Sequence, residues 1–599
     1  MGGRKEVPSR DSIDDEHKWD LAPLYNNPDA WETEYKDVEA SYPKFLKFKG
    51  RLKESNDVIA DYIRFSDELS RKLERVYTWA HLKHDEDLND GGFQSMYDRV
   101  INLMVRIETE TSFFVPELLS LPEDRLKGLL EDPVLEFAWV PLRSIIRTRE
   151  HFLSEKEEKL LAMADDVLDA SSKTYRMLND ADLKFPTIKD EEGNEIEISH
   201  GRFVGLMMSG DREVRKRTLE EFFSSYGSHR NTFTSILEGE LKKRAFLAKA
   251  RNYPSALHAS LDSDEVTPDL YNSLIDAVHG SFGDFYRYVE LRKKALGVKE
   301  LHMYDVYVSL VKEFKRKVPF EEAKELVLEA LAPLGSDILD IVKEGLSSRW
   351  IDIYENRGKR SGAYSSGCYD SPPYILMNYD ENIRELFTLA HEMGHSVHSY
   401  LSNRNQPHIT ADYKIFVAEV ASTVNEILLL NHLMKIWTGN EEQTYLVNHY
   451  LESFKGTVFR QTMFSEFERD VQALVEEGTP LTPDLLCENY GKLNKNFFGP
   501  SMVIDKELEL EWARIPHFYY NFYVYKYATS FCVANAIATR ILEGDKEQLD
   551  RYISLLKAGG SKPPVELLLG AGVDLRTTEP ITEALNVFGD LVKRMESLI

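Results

Sequence analysis

ENIRELFTLAHEMGHSVHSYLS, Glu381 to Ser402, is the stretch from which the rest of the chain can be read. Asp380, just before it, is a good helix N-cap. Ile383, Leu386, Phe387, Ala390, Met393 and Val397 recur at three- and four-residue spacing, which predicts a helix with one apolar stripe. His391, Glu392 and His395 form HExxH on that helix. Residues four apart stand about 40° apart around a helix, so both imidazoles can converge on one metal ion while Glu392 points at the open coordination position as a general base. Chance would produce the pattern about once in 25 chains of this kind, and a helical setting after a strand makes chance a weaker explanation.

A catalytic metal needs a third protein ligand. The metzincin completion fails, because His398 and Leu401 stand where that pattern wants Gly and His. A carboxylate on a second helix remains. FVAEVASTVNEILLL, from Phe416, places Glu419, Ser422 and Glu426 on one face amid Val417, Val420 and Val424. Two acids on a mostly apolar helix demand a partner. Glu419, 24 residues beyond His395 (419 − 395), is assigned as the third ligand, and Glu426, two turns on, as the acceptor that orients a ligand histidine. His398 is assigned to support or packing behind the ligands.

Working outward, Trp350 to Asp380 changes character, with Gly358, Gly362 and Gly367, the pair Pro372-Pro373 and the β-rich YILMNY at Tyr374 to Tyr379. A small sheet beside the HExxH helix is expected there. Gly362, Ala363 and Tyr364 are its candidate substrate contacts, because small residues beside a strand let a peptide backbone approach and pair. Cys368 reads as a packed small residue. Earlier, LKFPTI and EIEI flank DEEGN between Leu183 and Ile198, which predicts a hairpin. The remainder is helical in pattern, from Asp29 to about Tyr175, from His200 to about Leu346, and after Asp380 to the end, with Asp211 and Thr267 as helix starts. The opening twenty residues read as polar and extended until Trp19, Leu21 and Leu24. The expected fold class is mainly α, divided into an extension (1–20), an N-terminal helical region ending in the hairpin (21–199) and a catalytic region (200–599).

One cluster remains, RIPHFYYNFYVYKYATSF from Arg514 to Phe531. Seven of the ten residues from Phe518 to Tyr527 are aromatic. Most such rings are core, yet tyrosine hydroxyls and His517 could donate to an oxyanion.

Composition narrows the function. The 599 residues carry 74 Lys and Arg against 101 Asp and Glu, a net charge of −27 that argues against a nucleic-acid-binding body. With 42% hydrophobic residues, wholesale disorder is excluded. Cys368, Cys487 and Cys532 are widely separated, so neither a disulfide framework nor a thiolate metal site is expected, and the cytoplasm is the simplest home. No signal peptide and no membrane span is read.

HEMGHSVHSYLS, FVAEVASTVNE, PHFYYNFYVYKYATSF and GAYSSGCYDSPPYILMNY resemble oligoendopeptidase F, of the thimet-oligopeptidase-like zinc metallopeptidases, and the resemblance runs from KWDLAPLY at Lys18 onward. It implies one zinc ion held by His391, His395 and Glu419, with Glu392 as the base that activates water. His517 and a tyrosine match the family's oxyanion-stabilising pair; Tyr520 and Tyr527 are the best matches, with Tyr523 in reserve and otherwise a substrate contact. The implied fold is two mostly helical lobes around a deep channel with zinc on its floor. The implied activity is endopeptidase cleavage of short unfolded oligopeptides by metal-activated water. A helical HExxH zinc carboxypeptidase and a non-catalytic peptide-binding relative are the competing readings.

Overall fold

The computed structural model describes residues 6–311, 314 and 316–599. Helices take up 71% of the chain, so the mainly α expectation holds. The chain divides into two compact units, each assembled from separate segments. One comprises Met1–Glu155, Lys315–His432 and Ile537–Val573; the other comprises Lys156–Phe314, Leu433–Ala536 and Asp574–Ile599.

In the first unit, capped helices such as Pro28–Ser41 and Asn56–Glu86, started by the side chains of Asn27 and Ser55, bury Trp31, Val38, Ile59, Val76 and Trp79 in one core. Removing each such side chain from water is worth roughly 1.5–3 kcal/mol, which holds the long helix where its own propensity alone would not. Tyr374 and Leu376 reach this core from a three-stranded sheet, and Cys368 from the connection between two of its strands. The strand Tyr374–Leu376 is central, parallel to Ile351–Asp352 and antiparallel to Tyr364–Ser366. Tyr364–Ser366 is therefore an edge strand.

The HExxH helix spans Ile383–Asn405, and all six residues of its expected stripe are buried. Its cap is not Asp380. The chain turns at Glu381 (φ +45°), whose carbonyl accepts from the Val318 N–H, and this carries the N-cap to Asn382, whose side chain accepts from the Glu385 N–H at 3.0 Å. The helix bearing Glu419 spans Ile415–Ile436.

Residues 6–20 are also not an extended tail. Short 3-10 turns form at Arg10–Ser12 and Asp15–His17. The Arg357 N–H donates to the Pro8 carbonyl (2.8 Å), the Ile353 N–H to that of His17 (3.0 Å), and Arg10 donates to Asp352 and Asn356. Asp352, buried and 342 residues further along the chain, supplies a charged partner that local sequence does not display.

In the second unit the expected hairpin forms, with Thr187–Lys189 paired to Glu195–Glu197. Asp211 and Thr267 cap helices as read. The helical reading fails in two places. Leu301–His302 pairs in parallel with Met502–Val503, and the aromatic cluster is not one helix. It runs as a 3-10 turn over Pro516–Tyr519, a turn with Asn521 and Phe522 at positive φ (53° and 58°), and then a helix over Tyr525–Leu542. Two consecutive left-handed residues break the helix, and neighbours hold them: Ser260 Oγ donates to the Asn521 carbonyl, and Glu468 accepts from the Phe522 N–H at 2.8 Å.

Candidate active site

His391 and His395 lie one turn apart on the HExxH helix, and their Nε2 atoms face each other at 3.2 Å. Glu419 Oε2 stands 3.5 Å from the first and 3.7 Å from the second. A tetrahedral ion with bonds of about 2.0–2.1 Å holds its ligand atoms about 3.3–3.4 Å apart, so two imidazole nitrogens and one carboxylate oxygen at these separations suit such an ion in both chemistry and spacing. The second nitrogen of His391 is engaged: Nδ1 donates to Glu426 Oε1. That bond fixes the ring and leaves Nε2 as the atom turned toward Glu419.

Glu392 is buried and makes no side-chain contact of this kind with the donor set. Burial pushes its carboxyl up to about 7, and the neighbouring Glu419 adds to the rise, while His391 and the Ser365 N–H oppose it. Burial alone would lower His391, but the Glu426 carboxylate outweighs it and lifts the imidazole to about 9. His395 is pulled down to about 3 by burial and by the charge on His391.

His398 is buried at 1% exposure and stacks on Tyr413 with ring centroids 3.7 Å apart. Its Nδ1 makes no hydrogen bond, and burial lowers its pKa to about 3. The edge strand reaches the HExxH helix through Ser365 Oγ and Ser396 Oγ, 2.8 Å apart. Gly362 has φ +88° and its carbonyl accepts from Asn378, while Ala363 leads into the strand. The Tyr364 hydroxyl donates to Asp85 and its ring stacks on His81. Sequence reasoning missed the contact between Ser365 and Ser396, because Ser396 is one of three serines on the motif helix and nothing local marks it out.

His517, Tyr520, Tyr523 and Tyr527 form a group of their own in the second unit. His517 meets the Tyr520 ring at 5.5 Å and the Tyr527 ring at 6.2 Å between centroids, and Tyr523 meets Tyr527 at 5.3 Å. Burial lowers the His517 pKa, so the ring is neutral at pH 7 and can donate one hydrogen bond. Tyr520 is 55% exposed.

A mainly helical chain that gathers the histidines of an HExxH with a glutamate from a second helix has the make-up of a metallopeptidase. Comparison with known proteins gives the family. The Peptidase family M3 profile matches residues 205–587 and the Oligopeptidase F profile matches residues 117–185. Oligopeptidase PepF of Bacillus subtilis is 45% identical over 99% of this chain and 89% of its own length, and group B oligopeptidase PepB of Streptococcus agalactiae is 37% identical over 99% and 98%. A solved structure from Chlamydophila abortus superposes with a TM-score of 0.94 at 36% identity, covering 99% of this chain and all of that one. Oligoendopeptidase-F from Enterococcus faecium superposes at 0.75 with 38% identity over 95% of this chain and 98% of its own. The chain belongs to peptidase family M3 and is an enzyme of its oligopeptidase F branch.

Proposed function

We propose that the protein is a zinc-dependent endopeptidase that cuts internal bonds of short oligopeptides in the cytoplasm. One observation carries the reading: the His391, His395 and Glu419 donor atoms face one another at 3.2–3.7 Å, with Glu426 fixing His391 from behind. These three residues would hold one zinc ion, whose Lewis acidity would polarise a substrate carbonyl and make water easier to deprotonate. Glu392 takes the proton from the attacking water and returns it to the leaving amine as the C–N bond breaks. A pKa raised to about 7 by burial suits a group that must both accept and release a proton near neutrality, and a cation nearby would draw it toward the base form.

His517 with Tyr520 or Tyr527 is assigned to the oxyanion, Tyr523 to substrate contact, and the edge strand with Gly362, Ala363 and Tyr364 to pairing with the substrate backbone. His398 is assigned to packing against Tyr413. The names of the relatives support oligopeptides as the substrate class. The absence, among the described residues, of a helix long and apolar enough to cross a membrane is compatible with the cytoplasmic assignment.

The test is digestion of peptides with amidated C-termini, followed by mass spectrometry of the products with and without a chelator. Internal cleavage that the chelator stops is the expected result. Removal of single residues from a free C-terminus, with amidated peptides left whole, would favour the carboxypeptidase reading.

A further inference from the structure

The HExxH helix and the Glu419 helix approach each other closely at one point. A Cβ on Gly394 would stand 2.6 Å from Ser422 Cα, 2.7 Å from the Ala421 carbonyl oxygen and 2.8 Å from Ser422 N. All three are backbone atoms, which cannot rotate away, so any other residue would drive the helices apart. On the same interface Asn425 Nδ2 donates to the Ala390 carbonyl at 3.1 Å, fully buried, and so fixes the register of the two helices just before His391. Ser422 Oγ lies 3.1 Å from Glu419 Oε2, the same oxygen that faces both imidazoles, and 3.1 Å from the Glu419 main-chain carbonyl, so its hydroxyl ties the carboxylate back against its own helix backbone. Glu419 is only partly buried, and a long side chain there has several rotamers; the serine hydroxyl selects one.

We infer that Gly394, Ser422 and Asn425 are positioning residues for the metal centre: Gly394 sets the spacing of the two helices, Asn425 their register, and Ser422 the orientation of the Glu419 carboxylate. None of them touches the ion or the substrate. The inference rests on the proposal that His391, His395 and Glu419 bind a metal, and it adds why a glycine stands inside the motif. Metal-ligand distances tolerate errors of about 0.2 Å, whereas an alanine at Gly394 must displace backbone by several times that to reach ordinary contact.

The test measures zinc dissociation constants of the metal-stripped full-length protein by competition with a chromophoric chelator, together with thermal midpoints of the metal-free forms. Ser422→Ala should weaken zinc binding roughly 10–100-fold, the usual effect of losing a group that orients a ligand, while the metal-free midpoint stays at the parent value. Gly394→Ala should weaken it further, and Asn425→Ala should act in the same direction. If Gly394→Ala does not fold, Ser422→Ala and Asn425→Ala still decide. Parent-like zinc affinity in both would overturn this inference and leave the metal assignment standing. A parent protein that binds zinc no better than Glu419→Ala would overturn the metal assignment and the inference with it.

Discussion

Asp352 and Glu86 are balanced by cations of the chain itself, whereas Glu392, Glu419 and Glu426, in the same compact unit, have only imidazoles. Arg10 Nη2 lies 2.6 Å from Asp352 and 3.3 Å from Glu86, and Lys359 Nζ lies 2.7 Å from Asp352. Burial would raise Asp352, yet Arg10 and Lys359 outweigh it and hold the carboxyl below its usual value. Among the described residues, no lysine or arginine makes an ion pair with the three glutamates; His391 and His395 are the partners of Glu419, and His391 that of Glu426. There Glu392 is pushed up to about 7 by burial, and the Glu426 carboxylate lifts His391 to about 9. The first group pairs two buried carboxylates, while the second sets buried Glu392 beside partly buried Glu419 and Glu426. The first is complete as folded, and the second has a His391, His395 and Glu419 donor set that could hold a metal ion.

Removing a donor from the second group should have the largest effect. Glu419→Ala should leave the dialysed protein without zinc by metal analysis, because a bond to the ion is lost. A zinc-loaded Glu419→Ala would break the comparison. Next comes the first group. Lys359→Met leaves Asp352 with one cation fewer in a buried setting and should cost about 3–5 kcal/mol in urea unfolding, with zinc affinity unchanged. A variant as stable as the parent would mean that the chain's own cations are not needed there.

Glu426→Ala sharpens the contrast. Zinc affinity should fall by roughly 10–100-fold, and the His391 pKa in the metal-free protein should drop, read by NMR. An unchanged His391 titration would remove Glu426 from its role.

The smallest effect concerns an intermediate case nearer the surface, where His408 lies between Asp67 (2.6 Å) and Glu74 (2.9 Å). Burial would lower its pKa, but the two acids outweigh it and raise it. A raised pKa gives stability that is full below the unfolded value of about 6.5 and is lost as pH rises through the folded value. His408→Phe should therefore lower the thermal midpoint more at pH 5.5 than at pH 9. An equal loss at both would mean packing alone.

The juxtaposition of the candidate-site residues was legible in the sequence because it is written at helical spacing. His391 and His395 are four apart, Glu419 and Glu426 seven apart, and each pair keeps one face whatever the rest of the chain does. The structural half was not legible. Arg10 and Asp352 are 342 residues apart, and nothing near Arg10 distinguishes a docked segment from a solvated tail. Asn382 displaced Asp380 as the cap because a turn at Glu381 depends on Val318, again a tertiary partner. The aromatic cluster kept the residues foreseen and lost its expected helix at Asn521 and Phe522, whose left-handed conformation is held by Ser260 and Glu468. Ser422 was visible as a polar residue on the right face, but its hydrogen bond to Glu419 was not.

The most direct test titrates zinc into chelator-stripped parent and Glu392→Gln proteins while following both bound metal and cleavage of an amidated peptide. The account predicts one zinc per chain in both proteins. Cleavage should return in the parent as the first equivalent is added, and the variant should be slower by roughly 10²–10⁴-fold or more. A variant that fails to bind zinc, or one that binds it and cleaves at the parent rate, would contradict the assignment of Glu392 as the base beside a His391, His395 and Glu419 metal site.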